Sequence, residues 1–152
     1  MGSADEWARS LGEQIKTKER DSNGAAHIAA MNRNIVAEQT PLVWDELCAE
    51  FQKYCDAING QVKPERELGF HRTGAHDFMV RPDAMDPIVL GHYAYDTHYI
   101  SIRTGRGVEW FAPSVYHVGM GKVVLISTST RSSTTPGSIA RKALGYSFPL
   151  SY

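Results

Sequence analysis

The chain has little cysteine: only Cys48 and Cys55 among 152 residues. Two thiols cannot build a disulfide framework. Seven positions apart on a helix they stand about 10 Å from each other, too far to bridge. They are expected to be buried thiols of a protein kept in a reducing compartment, the cytoplasm. Long apolar runs are missing as well. No stretch approaches the roughly 18 residues of a membrane span, and no basic start leads into a short apolar segment, so neither a membrane partner nor a signal peptide is expected. The phosphate-loop, H-E-x-x-H, C-x-x-C and G-x-S-x-G patterns are absent too, and with them the usual sequence support for nucleotide cradling, tight metal chelation and an activated serine.

What remains is an ordinary globular balance, 42% hydrophobic and 22% charged. A chain of this length buries enough surface to fold without a metal or disulfide staple, and no cofactor is implied. The formal net charge of −1 conceals an uneven distribution. Residues 1–60 carry six Lys and Arg against ten Asp and Glu; residues 101–152 carry six against the single Glu109. The expected organisation is one domain over 1–152, with a helical part over 1–60, an antiparallel sheet over 61–130, and a closing helix and tail over 131–152.

Ser3-Ala4-Asp5-Glu6 has the form of a capping box. Ala4, Trp7, Ala8, Leu11 and Ile15 follow at helical spacing, which predicts a first helix over 4–19. The turn formers Asp21-Ser22-Asn23-Gly24 predict a break, and Ile28, Met31 and Ile35 among alanines predict a second helix over 25–38. One long helix with a polar middle is the alternative. Thr40-Pro41 has the cap-then-proline form of a helix start. Behind it Trp44, Leu47, Cys48, Phe51, Tyr54, Cys55 and Ile58 make an unbroken apolar stripe, and Asn59-Gly60 predicts a left-handed stop.

Beyond Gly60 the helical period gives way to short runs rich in β-branched and aromatic residues. Strands are predicted over 67–71, 77–81, 88–95, 99–104, 108–112, 114–118 and 123–128. Their connections are too short for parallel crossovers, so the expected fold class is α+β: two or three N-terminal helices on an antiparallel meander of five to seven strands. Gly105-Arg106-Gly107 and Gly119-Met120-Gly121 supply turns. The Ser/Thr cluster at 127–135 is expected to be a polar loop. Ser132-Ser133-Thr134-Thr135-Pro136 predicts a closing helix over 136–144, ended by Gly145, and the apolar tail carrying Phe148 and Leu150 is expected to lie on the core.

Three functional expectations follow. The leading one is a non-catalytic binding or adaptor domain with a protein partner or self-association, because the fold pattern is complete and no active-site constellation accompanies it. The second is nucleic-acid binding through Arg103, Arg106, Trp110, Tyr116 and Lys122, which mix cations with aromatics on adjacent hairpins as single-strand platforms do. The third is a small metal-dependent enzyme using His71, His76, Asp77, Asp96 and His98, since imidazoles with carboxylates suit borderline metals and general acid-base chemistry. In that set Asp96 and His98, two apart, are expected on one face of a strand.

Overall fold

The computed structural model describes residues 3–83, 85–115 and 123–147. The chain divides into two units, Met1–Asn34 and Ile35–Tyr152. Helix α1 runs over Ser3–Asn59, a 57-residue element. The helices predicted over 4–19 and 25–38 and after Thr40 are therefore a single helix. Among the described residues Gly107 is the one glycine with positive φ, so Gly24 continues the helix. Gly costs about 1 kcal/mol in a helix interior, and the alanines at 25, 26, 29 and 30 on its C-terminal side favour propagation. Pro41 lies inside the helix rather than at its start, where its missing N–H removes one bond to the preceding turn.

In the first unit the large side chains of the apolar stripe face solvent, from Leu11 at 39% to Trp7 at 66% exposure, with Ile15, Ile28 and Met31 between them. Within the second unit, Trp44, Leu47, Cys48, Phe51 and Cys55 of the same helix are buried. The expected left-handed stop at Asn59-Gly60 is not adopted, since neither residue has positive φ. The helix closes instead with Gly60 N–H bonding Asp56 O at 3.1 Å and Gln61 N–H bonding Ile58 O at 2.9 Å. The Asn59 amide then clamps the start of the sheet: its Nδ2 donates to Leu68 O at 2.8 Å, and its Oδ1 accepts from Leu68 N–H at 2.7 Å. A 3-10 turn over Pro64–Arg66 lies between them in the chain.

Among the described residues seven antiparallel strands follow in sequence order: β1 (Leu68–Gly74), β2 (Asp77–Pro82), β3 (Val89–Ala94), β4 (Tyr99–Thr104), β5 (Gly107–Val115), β6 (Val123–Ser127) and β7 (Ser133–Thr134). The meander is as expected, with two local differences. The predicted strands 108–112 and 114–118 are joined in β5 through Pro113, and residues 116–118 lie outside the described residues. Proline is tolerated there because pairing with β4 reaches only Ile100–Phe111, so its absent N–H falls past the ladder on that side, while Pro113 still pairs with Leu125 of β6. The Ser/Thr cluster is not all loop, since Ser133 and Thr134 form β7 against Ile126 and Leu125.

Helix α2 covers Pro136–Ser147, so Gly145 does not end it. Its start is as predicted: Thr135 Oγ1 accepts from Ser138 N–H at 3.2 Å. One face of the sheet meets both helices in a core of Leu68, Phe78, Val80, Val89, Tyr93, Ile100, Ile102, Phe111 and Leu125 with the α1 stripe and Ile139, Ala140, Ala143 and Leu144 of α2. Phe78 is central, its ring centroid 5.3 Å from Trp44, 4.7 Å from Phe51 and 5.2 Å from Phe70. Gly91, opposite it on β3, leaves the space its ring fills, because any Cβ at 91 would collide with Phe78. The other face carries Leu90, His92, Tyr99, Arg103, Val108 and Trp110, all exposed.

Candidate functional site

Strand register and turn geometry decide which predicted residues meet. Arg103 pairs with Val108, and Ser101 with Trp110, so Arg103 and Trp110 are diagonal neighbours on the exposed face of β4 and β5. Phe111 takes the opposite, buried side. Arg106 is parted from them. It sits in the β4–β5 turn, where its N–H bonds Thr104 Oγ1 at 3.2 Å, and its guanidinium lies 4.3 Å from the Tyr146 ring of α2. Tyr116 and Lys122 lie outside the described residues, as do the Gly119-Met120-Gly121 turn, Phe148 and Leu150.

The histidine set is only partly assembled. Asp96 and His98 are not on a strand but in the four-residue turn between β3 and β4, with His98 at φ 63°. Asp96 Oδ1 accepts from Thr97 N–H at 3.0 Å, and His98 N–H bonds Ala94 O at 2.6 Å; both bonds favour the tight turn over an extended strand. His98 Nδ1 is hydrogen-bonded to the Tyr93 hydroxyl at 2.6 Å. Burial pushes the Tyr93 phenol above its ordinary range. His76, in the β1–β2 turn, stacks on Tyr95 at 5.1 Å and tilts against Tyr93 at 5.5 Å, with its Nδ1 buried and unpartnered. Asp77 pairs with His92 rather than with any other member of the set, at 2.7 Å from Nδ1. His71 lies on the far side of β1 from the core, its Nε2 over Gly69. Among the described residues no three His, Cys, Asp or Glu side chains converge to hold a metal ion.

The thiols are inert by position. Cys48 and Cys55 are buried and unpaired, and each is pushed up to about 11, chiefly by burial. At Cys48 the Arg72 guanidinium opposes that shift and Asp45 adds to it.

A partly open cavity of about 410 Å³ lies between the β4–β5 hairpin, the β6–β7 segment and α2. Its inner wall is Ile102, Phe111, Ile139 and Ala143, and its rim is rich in Ser and Thr hydroxyls. Sequence reasoning missed it because its lining comes from segments up to 44 residues apart, Ile102 to Tyr146, with no local motif. The signal that was present is the Ser/Thr cluster at 127–135 next to a capped helix.

No helix among the described residues is long and apolar enough to cross a membrane. Comparison with family models, curated proteins and solved structures finds no match to this chain.

Proposed function

We propose that the protein is a non-catalytic adaptor that self-associates through residues 3–34, two copies of that helical stretch lying antiparallel with their apolar patches together. The observation that carries this reading is two exposed apolar patches on the stretch, Trp7, Leu11 and Ile15 on one face and, further along, Ile28 and Met31 turned part-way round the helix from them. Each is 39–66% exposed, so completing its burial contributes a part of the about 1.5–3 kcal/mol that full burial of such a side chain supplies, and water is an unfavourable neighbour for all five. Helical propensity alone leaves a mixed sequence marginally helical, whereas a partner that covers the patches stabilises it.

Charge favours a second copy. Residues 3–34 hold five Lys and Arg and five Asp and Glu, so two copies meet without net repulsion. Each half of the stretch is itself balanced, with Asp5, Glu6 and Glu13 against Arg9, Lys16 and Lys18, then Glu19 and Asp21 against Arg20 and Arg33, so a second copy meets no block of like charge. The buried free thiols support a reducing, cytoplasmic setting.

Sedimentation equilibrium of the full chain tests the reading: a dimer is expected, and Leu11→Asp or Ile28→Asp should give monomer. A wild-type chain that stays monomeric at about 100 µM removes it. Fluorophores on Ala4→Cys should lie on the order of 45 Å apart in an antiparallel dimer and in near contact in a parallel one.

One observation favours a second reading, single-stranded nucleic acid on the exposed sheet face: Arg103 and Trp110 are neighbours there, with Tyr99 exposed on the same face. An oligothymidylate should quench Trp110, with affinity that falls steeply with salt and on Arg103→Glu. Absence of binding at low salt ends this reading.

A further inference from the structure

The cavity beneath α2 has a chemical character that neither self-association nor the exposed sheet face explains. Three charged residues line it: Arg106, Lys142 and Glu109. Glu109 is already satisfied, accepting from the Ser127 hydroxyl at 2.9 Å and facing Lys142 Nζ at 4.0 Å. Ser127 is buried and also bonded to Ser129 at 3.1 Å, so this corner is a closed network with little net charge.

Arg106 differs. Among the described residues no carboxylate pairs with it. Its guanidinium lies 4.3 Å from the Tyr146 ring centroid, a contact that holds the plane while leaving the N–H edge able to donate. Its place in a two-residue hairpin turn, followed by Gly107 at φ 123°, fixes the backbone from which it reaches the cavity. A preset, unpaired guanidinium at the mouth of a partly apolar cavity is suited to an anion with an apolar body.

The geometry points to a binding site for a small organic phosphate monoester, its phosphate held by Arg106 and the hydroxyl rim, its apolar body on the wall of Ile102, Phe111, Ile139 and Ala143. Phosphate is favoured over carboxylate because three terminal oxygens can accept from the many hydroxyls on the rim, where a carboxylate offers two. A volume of about 410 Å³ admits a ring-sized body with its phosphate.

Calorimetric titration with phenyl phosphate, benzoate and inorganic phosphate tests the site in the full chain. Phenyl phosphate is expected to bind more tightly than either of the others and to weaken with added salt. Arg106→Ala should weaken it by about ten- to a hundredfold, as expected for losing a charged hydrogen-bond partner. Arg106→Lys should restore part of that loss, and Arg81→Ala, on β2 and not among the cavity's lining residues, should leave affinity unchanged. Unaltered melting of Arg106→Ala separates loss of the site from loss of the fold. Equal binding of benzoate overturns the phosphate assignment, and equal binding of inorganic phosphate overturns the role of the apolar wall. No binding of phenyl phosphate, or the same loss from Arg81→Ala, overturns the site; the oligomeric state is unaffected by any of these results.

Discussion

Two stretches of α1 carry large apolar residues at helical spacing, unbroken in one and in two separate clusters in the other, and meet different fates. Between Trp44 and Cys55 the stripe is buried against Phe78, Tyr93 and their neighbours; between Trp7 and Met31 it faces solvent. Periodicity identifies which side of a helix is apolar, but a stripe has value only through what covers it. The 44–55 stripe has that cover in the sheet following it, whereas residues 3–34 present theirs outward.

The contrast is broken most strongly by truncating Phe51, which contacts Phe78 at 4.7 Å. Phe51→Ala should lower unfolding free energy by about 3–5 kcal/mol, while Leu11→Ala should change it by no more than about 0.5 kcal/mol in dilute protein. Paired denaturant melts measure both, and equal effects would show that the two stripes are not distinct. Next comes Asn59→Ala, which deprives the Leu68 N–H and C=O of both partners at the end of the buried stripe. A loss of about 1–3 kcal/mol is expected, with no counterpart for Asn34→Ala in the exposed stretch.

A third prediction uses pH. The folded state holds Cys48 and Cys55 near 11, while unfolding returns them toward the ordinary thiol range near 9. Below that range both states keep the proton and the full contribution is present. As pH rises from about 9 through 11 the unfolded chain releases protons first, and stability falls. Denaturant midpoints for the wild type should drop over this interval, and the drop should be shallower for Cys55→Ala. The smallest effect belongs to the exposed ion pair of Asp45 with Arg72, at 3.2 Å: Asp45→Ala should cost less than about 1 kcal/mol, and added salt should shrink that cost.

Much of this fold is readable along the chain. The 44–58 stripe, the antiparallel meander, and the Thr135 cap with its following proline all depend on neighbours within a few positions. So does the turn chemistry of Gly105-Arg106-Gly107. Expectations failed where a local signal competed with its surroundings. Asp21-Ser22-Asn23-Gly24 and Thr40-Pro41 are breakers by propensity, yet the penalty of each is only a few kcal/mol at most, and the helix carries on through both. Asp96 and His98 satisfied the period of a strand, but their own side-chain and backbone hydrogen bonds suit a turn better. The strands expected over 108–112 and 114–118 are joined through Pro113, which β5 accommodates because the ladder to β4 has already ended.

The candidate sites were less legible than the fold. The nucleic-acid set was chosen by composition, and register then put Arg103 and Trp110 on one face while the β4–β5 turn carried Arg106 toward Tyr146. The histidine set was likewise chosen by proximity in sequence, and Asp77 found His92 across the β2–β3 ladder instead.

By itself the order of residues determined the helical stripes, the strand alternation and the direction in which neighbouring strands run, since each follows from covalent periodicity and short connections. The tertiary structure alone decided that Gly91 makes room for Phe78, that Asn59 clamps Leu68, and that Arg106 and Tyr146 come together at one cavity. Those pairings join atoms far apart along the chain, and distance in space between such atoms is set by packing of the whole core rather than by any local preference.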